Sequence, residues 1–183
     1  MTTSKQRPTG SGGIRAAGGG RPGTAPDWPA TTEWLALDRQ LCFALYAASL
    51  AMTKTYKPLL EPLGLTYPQY LVMLALWETD GITVSALGER LTLDSGTLTP
   101  LLKRLQAQGL VQRLRDTADE RRVLLQLTAA GRALEDRAVA VPQAVLAATN
   151  CGLNEISPLV RQLTALRQQL QARLPVAQQR EGG

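Results

Sequence analysis

The sequence has two cysteines, Cys42 and Cys151, and these side chains are the best suited to covalent chemistry. A cysteine thiolate is a nucleophile, and oxidants convert it to sulfenic acid or to a disulfide. The chain contains no histidine, which excludes the Ser-His-Asp triad, the Cys-His pair and every histidine-containing metal site. Two distant cysteines do not form a zinc site. We therefore predict thiol chemistry with no metal and no cofactor.

Cys42 by itself does not indicate a reactive thiol. It falls inside an apolar helical run, where a cysteine is more often an inert core residue. The helix is predicted to begin at Trp34, so Cys42 would lie away from the N-terminal dipole that favours a thiolate, and neither sequence neighbour is basic. A thiol peroxidase is therefore not favoured, although it stays one alternative. Cys151, beside Gly152 at a predicted helix end, alone indicates a surface cysteine.

A basic stretch without acidic residues is the second candidate for function. The chain has a net charge of +5, but four basic residues against one aspartate place +3 of it in the first thirty residues. Local clustering is therefore more informative than the total. Residues 95–115 contain no Asp or Glu and four cations, which are Lys103, Arg104, Arg113 and Arg115. Such a cluster suits phosphate contacts, although an ordinary solvated surface is the general explanation for charge runs.

The helix predicted from Ser95 to Gln108 has one apolar face and one face that suits DNA. The apolar face repeats at i, i+3, i+4 and i+7 and consists of Leu98, Leu101, Leu102 and Leu105. On the other side, small and hydroxylated residues allow close approach to base edges, and cations reach phosphates or guanine. The residues predicted to contact DNA from this helix are Ser95, Gly96, Thr97, Thr99, Pro100, Lys103 and Arg104.

After Gly109 the apolar pattern changes to an alternating period, which predicts a β-hairpin with strands over 110–115 and 122–127. Further DNA contacts are predicted at this hairpin for Arg115, Arg121 and Arg122, and Arg121 or Arg122 would enter a minor groove. Asp119 is predicted to hold a neighbouring arginine in an ion pair. Two short helices joined by a tight turn and followed by a hairpin form, in outline, a winged helix-turn-helix.

The remaining elements are predicted to be helical. Predicted helices cover 34–56 with Pro58 and Pro62 bending or ending the run, 67–77, 84–91, 95–108, 129–149 with a bend at Pro142, and 154–174. Predicted caps are Thr66, Thr83, Asp94 and Thr128, with Gly109 as a stop. The predicted fold class is therefore mainly α with a small β-hairpin wing.

We predict five segments along the chain. They are a disordered Gly/Pro-rich tail (1–32), an N-terminal dimerisation and sensor helix (33–65), a winged helix-turn-helix DNA-binding domain (66–127), C-terminal dimerisation helices (128–175) and a frayed tail (176–183). The tail lacks the apolar core of a signal peptide, and no later stretch is long enough for a membrane span. We therefore expect a cytoplasmic protein without a membrane partner.

Two segments resemble a known family. The run LGERLTLDSGTLTPLLKRLQAQGLVQRLRDTADERRVLLQLT, from Leu87 to Thr128, is similar to the MarR-type winged-helix repressors. The run LCFALYAASLAMTKTYKPLLEPLGLTYPQYLVMLALWE, from Leu41 to Glu78, resembles the organic hydroperoxide resistance regulators, the OhrR branch, and is more specific than a helix-turn-helix. The resemblance extends from about residue 37 to about residue 173 and leaves out the Gly-rich first thirty residues.

The resemblance implies roles for two cysteines and two tyrosines. Cys42 matches the reactive cysteine of the branch, and Tyr56 and Tyr67 match its thiolate-binding tyrosines. Cys151 corresponds to the second cysteine of the two-cysteine members, which form a disulfide between subunits. Cys42 and Tyr56 are fourteen residues apart, roughly 21 Å along a helix, so that any meeting takes place across the two-fold axis of a dimer. Packing at an interface is the other explanation for these tyrosines.

The leading hypothesis is a homodimeric transcriptional repressor that senses organic hydroperoxides. It would bind a pseudo-palindromic operator in double-stranded DNA, and oxidation of Cys42 would change the spacing of its two DNA-reading helices. One alternative with the same fold is a MarR-type repressor released by a small aromatic ligand. The thiol peroxidase is the alternative from another class. Peroxide compared with phenolic compounds in a DNA-release assay separates the first two.

Overall fold

The computed structural model of the 183-residue chain describes residues 35–115, 119 and 122–173. The predicted tails and Arg121 lie outside these ranges. The helices and strands are α1 (Leu41–Leu60), α2 (Tyr67–Glu78), β1 (Ile82–Thr83), α3 (Val84–Leu91), α4 (Ser95–Ala107), β2 (Val111–Arg115), β3 (Val123–Leu127), α5 (Ala129–Ala138), α6 (Ala140–Thr149) and α7 (Leu153–Arg173). Within the described ranges, none of the helices combines the length and apolarity needed to cross a bilayer.

The first helix starts later than the sequence pattern predicts. A division between Ala44 and Leu45, inside α1, separates the described residues into two units. In the first unit, Leu37–Arg39 form a 3-10 helix, and Gln40 follows in an extended conformation with ψ of 118°. The predicted start at Trp34 is therefore wrong, because the extended residue interrupts the helical backbone before α1 begins at Leu41.

The end of α1 lies in the second unit. The helix includes Pro58 and runs to Leu60, so Pro58 does not end it. A 3-10 turn over Glu61–Leu63 follows, and Gly64 then takes a φ of 68°. This left-handed conformation favours glycine and turns the chain towards α2.

α2 is the centre of the second unit. Its side chains Tyr70, Val72, Met73 and Leu76 are buried, and residues of α3, α4, β3 and α5 pack on them. Because α2 is apolar around most of its circumference, it is stable only when several elements cover it. α4, the helix predicted to contact DNA, is thereby held against buried side chains of α2.

The wing is a three-stranded antiparallel sheet in the order β1-β3-β2. β2 and β3 pair from Val111 with Leu127 to Arg115 with Val123, which is the predicted hairpin. β1 adds the pair of Ile82 with Leu125, which the sequence did not predict because two residues cannot display an alternating pattern. The carboxylate of Asp80 accepts the Leu127 N–H at 2.9 Å. This hydrogen bond holds the C-terminal end of β3 in position.

The helix predicted to run to about residue 149 is two helices, α5 and α6. The break falls at Val139 and not at Pro142, which is the third residue of α6. The first residues of a helix have no internal acceptor for their N–H groups, so a proline there loses no hydrogen bond.

Gly131 of α5 lies so close to the main chain that a Cβ would be 2.1 Å from the Leu110 carbonyl oxygen. The Trp77 indole N–H also donates to the Gly131 carbonyl at 2.9 Å.

Three predicted caps form the expected hydrogen bonds. The side chains of Thr83, Asp94 and Thr128 accept the N–H groups of Ala86, Thr97 and Gly131 at 3.1, 2.7 and 3.0 Å. Gly109 follows α4 with a φ of 71°, as predicted for a stop. These caps fix where α3, α4 and α5 begin, and so the direction in which α4 leaves the turn.

The Asp94 cap makes the stability of α4 dependent on pH. The backbone N–H and then the hydroxyl of Thr97 lower the pKa of Asp94 below its ordinary value of 3.8. A lowered pKa in the folded state adds stability above the unfolded pKa, and this is lost as pH falls through the folded pKa. We expect Asp94→Asn to lose less stability than the wild type when urea unfolding is compared between about pH 7 and about pH 3. Asp136→Asn on α5 is the control, and equal acid sensitivity in wild type and Asp94→Asn would contradict the assignment.

Candidate functional site

The helix-turn-helix consists of α3, a turn over residues 92–94 and α4. The turn begins at Thr92, whose φ of 55° is left-handed. The N–H of Leu93 donates to the Gly88 carbonyl at 2.9 Å, and a Cβ on Gly88 would lie 3.0 Å from the Leu93 carbonyl oxygen. Glycine therefore lets the turn fold back closely on α3, while the buried Leu98 holds α4 in place.

α4 presents the predicted DNA-contacting residues to solvent. The predicted packing face agrees with the structure, since Leu98, Leu102 and Leu105 are buried and Leu101 is half-buried. Thr99 is half-buried, and the exposed residues are Ser95, Gly96, Thr97, Pro100, Lys103 and Arg104. The helix therefore carries small and hydroxylated groups at its start and two cations in its later turns, all reachable from outside.

Thr97 is already engaged within the protein. Its hydroxyl donates to Oδ2 of Asp94 at 2.9 Å, and its N–H donates to Oδ1 at 2.7 Å. Because the hydroxyl hydrogen is used, its free lone pairs remain for a second interaction. Thr97 can therefore offer DNA an acceptor but not a donor.

Arg113 has a different position from the other cations of the basic stretch. It is half-buried, its Nη2 lies 3.5 Å from the Thr99 carbonyl oxygen, and its Nε is buried without an acceptor among the described residues. Arg113 therefore supports α4 from β2. The alternation along β2 places Arg113 and Arg115 on the same face as the buried Val111, but only Arg113 is half-buried, and the pattern alone does not distinguish the two arginines.

The tip of the wing is described only in part. Arg115 and Arg122 are exposed, and the N–H of Arg122 donates to the Asp119 carbonyl at 2.9 Å. This hydrogen bond closes the hairpin turn. The ion pair predicted for Asp119 and the DNA contact predicted for Arg121 stay predictions, since Arg121 lies outside the described residues.

The structure brings the two predicted tyrosines together. The ring centroids of Tyr56 and Tyr67 are 4.7 Å apart, and Tyr70 lies 5.8 Å from Tyr56. Burial raises the pKa of all three phenols, and mutual repulsion of the phenolates adds to the effect for Tyr56 and Tyr70. All three hydroxyls are therefore protonated at neutral pH and can donate hydrogen bonds to an anion. Tyr70 was not predicted, although its place three residues after Tyr67 puts it on the same side of α2.

Cys42 is a free, exposed cysteine in the first turn of α1. The prediction that it lies far inside a helix is wrong, because α1 begins at Leu41. The first N–H groups of a helix lack partners inside the helix and favour a nearby anion. One of the two sequence arguments against a reactive Cys42, its distance from a helix N-terminus, therefore no longer holds.

Cys151 is also free and exposed, in the connection between α6 and α7. It follows Asn150, whose φ of 53° ends α6, and its thiol donates to the Thr149 carbonyl at 3.4 Å. A short connection with a weakly bonded thiol leaves this sulfur accessible to another molecule.

A cavity of about 540 Å³ opens between the C-terminal half of α1 and the start of α2. It is lined mainly by apolar atoms, and its lining residues include Lys54, Lys57, Glu61 and Tyr67. The volume is within the range of small-molecule sites. The cavity and the tyrosine pair therefore share Tyr67.

Comparison with known proteins places this geometry in a family. The profile described as transcriptional regulator SarA/Rot matches residues 54–137. The organic hydroperoxide resistance transcriptional regulator of Bacillus subtilis is 54% identical over 114 residues, which are 62% of this chain and 78% of the relative. The regulator TtmR of Methylorubrum extorquens is 51% identical over 137 residues, which are 75% of this chain and 70% of the relative.

Solved structures agree with these relatives. AbfR of Staphylococcus epidermidis superposes with a TM-score of 0.63 at 35% identity, covering 76% of this chain and 96% of AbfR. AbfR has been solved in a reduced form bound to DNA, in an overoxidized form bound to DNA and in a disulfide form. The winged helix, the exposed α4 and the sequence identity agree: the chain belongs to the organic hydroperoxide resistance branch of the MarR family, whose members are non-enzymatic DNA-binding transcriptional regulators.

Proposed function

We propose that the chain is a homodimeric repressor that releases its operator when an organic hydroperoxide oxidises Cys42. The observation that carries the redox part is the pair of protonated phenols, Tyr56 and Tyr67, 4.7 Å apart between ring centroids. Such hydroxyls stabilise a thiolate by hydrogen bonding. The name of the Bacillus relative and the oxidised forms of AbfR support the same assignment.

The exposed surface of α4 is proposed to read the operator. Ser95, Gly96, Thr97, Thr99 and Pro100 would approach base edges in a major groove, as helix-turn-helix recognition helices do. Contacts to phosphates are proposed for Lys103, Arg104 and Arg115, and contacts in a minor groove for Arg121 and Arg122. A dimer would place two such helices on the half-sites of a pseudo-palindrome, about one helical turn of DNA apart.

Bare apolar faces on α1 and α7 support the dimer. None of the 21 residues of α7 is buried, and α1 buries only Leu60. The exposed large apolar residues of these helices in the second unit are Leu45, Tyr46, Leu50, Leu153, Leu159, Val160, Leu163 and Leu170. Apolar surface of this extent marks an interface, and a second copy related by a two-fold axis would cover both helices together. The folded monomer is then unstable on its own.

The proposed signal is a two-step thiol oxidation across the dimer. The Cys42 thiolate attacks the terminal oxygen of the hydroperoxide, the O–O bond breaks, and sulfenic acid and an alkoxide form. The alkoxide takes a proton and leaves as the alcohol. The Cys151 thiol of the other subunit then attacks the sulfenic sulfur, which forms the disulfide and releases water. Tyr56 and Tyr67 would hold the initial thiolate by hydrogen bonds.

The cavity beside Tyr67 keeps one alternative open. Its mainly apolar lining, with Lys54, Lys57 and Glu61 as its charged residues, suits a small aromatic ligand. A repressor released by such a ligand would keep its response in Cys42→Ser, which is the outcome that separates it from the redox proposal.

For DNA binding, we expect Lys103→Ala to weaken affinity for all sequences similarly. The loss of one phosphate contact should flatten the dependence of log Kd on log salt by about one unit. Thr99→Ala should instead change the sequence preference. Fluorescence anisotropy at several salt concentrations measures both. Arg161→Ala removes one exposed charge from α7 as the control, and an equal slope change in the two charge variants would refute the assignment of α4.

For the tyrosines, we expect Tyr67→Phe to slow the formation of sulfenic acid at Cys42 by about ten-fold, because a hydrogen bond to a charged group is lost. Trapping of the sulfenic acid with a dimedone probe measures the rate. Tyr56→Phe should slow the same reaction, because both phenols are proposed to hold the thiolate by hydrogen bonds. Equal rates in all three proteins would remove Tyr67 from the site.

For the cysteines, we expect Cys42→Ser to bind DNA normally and to stay bound in the presence of cumene hydroperoxide, because a serine hydroxyl is not oxidised. Cys151→Ser should reach sulfenic acid but form no disulfide between subunits. Non-reducing electrophoresis should therefore show a covalent dimer only for the oxidised wild type, and dithiothreitol should reverse it. Release of DNA by Cys42→Ser on hydroperoxide treatment would show that the sensor lies elsewhere.

A further inference from the structure

Gln69 is the one polar side chain that is buried in the described part of the chain, with 3% of its surface exposed. It is the third residue of α2, two positions after Tyr67. A buried carboxamide is costly unless both its oxygen and its nitrogen have partners. The partners of Gln69 therefore indicate which elements the side chain must connect.

These partners lie in the loop before α2 and at the end of α4. Oε1 of Gln69 accepts the Thr66 N–H at 2.8 Å and the Thr66 hydroxyl at 3.0 Å. Its Nε2 faces Oε1 of Gln108 at 3.5 Å. Nε2 of Gln108 in turn donates to the Gly64 carbonyl at 2.9 Å. The two glutamines thus form a continuous chain of hydrogen bonds that runs from Thr66 through Gln69 and Gln108 to Gly64.

Every hydrogen bond between the two glutamines and the loop has a fixed donor and a fixed acceptor. A backbone N–H can only donate, so the oxygen of Gln69 must face Thr66 and its nitrogen must face Gln108. A backbone carbonyl can only accept, so the nitrogen of Gln108 must face Gly64 and its oxygen must face Gln69. Both requirements are met together. The pairing is therefore specific to two carboxamides in this orientation.

The chain of hydrogen bonds joins the tyrosine site to the DNA-reading helix. Gly64 and Thr66 lie in the loop that leads directly into Tyr67, whereas Gln108 immediately follows α4, and its N–H donates to the Arg104 carbonyl at 3.0 Å. The other contacts of α2 with α4 are made by buried leucines and other apolar residues, which tolerate sliding better than hydrogen bonds do. The glutamine pair is thus a directional contact between the loop and the C-terminal end of α4.

We propose that Gln69 and Gln108 are positioning residues that transmit a change at Tyr67 to α4. This rests on the proposed function, in which oxidation of Cys42 alters the surroundings of Tyr67. When the loop moves, Gly64 and Thr66 move with it. The hydrogen bonds of the two glutamines then displace the C-terminal end of α4. Lys103 and Arg104 lie in the last turns of that helix, so a shift there moves the phosphate contacts of each half-site.

The test compares Gln108→Ala with Gln106→Ala, an exposed glutamine two residues earlier on the same helix. Gln108→Glu is the second variant, because it keeps an acceptor for Gln69 and places an oxygen against the Gly64 carbonyl. The first readout is hydrogen–deuterium exchange of the reduced, DNA-free proteins over residues 64–70. The second is the release factor, defined as operator Kd after cumene hydroperoxide divided by operator Kd before it.

We expect both Gln108 variants to exchange faster over residues 64–70 and to have release factors lower by about five-fold, the low end of coupling between linked sites. Their operator affinity before oxidation should stay near the wild-type value, and Gln106→Ala should match the wild type throughout. A merely structural role would weaken the affinity of the reduced protein and leave the release factor unchanged.

An unchanged release factor, or unchanged exchange over residues 64–70, in the Gln108 variants would overturn the proposal. Failure of the proposed function gives a different result, because the wild type itself would then show no release on oxidation. Exchange in the reduced proteins needs neither oxidant nor DNA. It would still decide whether Gln108 holds the loop before Tyr67.

Discussion

The apolar helix α2 has to be covered on most of its circumference, and α3, α4, β3 and α5 of the second unit depend on that requirement. Tyr70, Val72, Met73 and Leu76 are each no more than 1% exposed. Burial of a side chain of this size contributes roughly 1.5–3 kcal/mol. The helix-turn-helix, the central strand and α5 all gain their support from the same surface. Because Tyr67 begins this helix, the proposed sensor and the proposed DNA-reading helix α4 are supported by the same element.

Local chemistry was enough to predict most of the helix-turn-helix and the hairpin. Thr83, Asp94 and Thr128 cap helices because their side chains reach N–H groups that have no other partner, a requirement independent of the rest of the fold. Gly109 ends α4 because few other residues adopt a positive φ cheaply. The mainly helical fold class with a small wing is confirmed for the same reason. The roles of Cys42 and the tyrosines came from family resemblance, since neither spacing nor periodicity brings Tyr56 and Tyr67 together.

Most of the features that escaped prediction depend on contacts between distant segments. β1 is too short to show a period and exists because β3 offers it a free edge. The true start of α1 depends on the extended conformation of Gln40, which interrupts an apolar pattern that continues on both sides. The support that Arg113 gives to α4 requires knowing that β2 lies beneath Thr99. Gln69 is marked locally by its capping-box spacing from Thr66, but its pairing with Gln108 spans 39 residues and follows from no local pattern.

The close approach of Gly131 to the Leu110 carbonyl has an evolutionary consequence. Any side chain at this position would overlap the main chain that enters the wing. We therefore expect glycine at this position in relatives that keep the same packing, even where the residues of α4 and the tyrosines differ. A relative that has lost it must have separated α5 from the base of the wing. The residue three positions after the Thr128 cap thus tests, from sequence alone, whether a distant homologue keeps the same attachment of wing to helix.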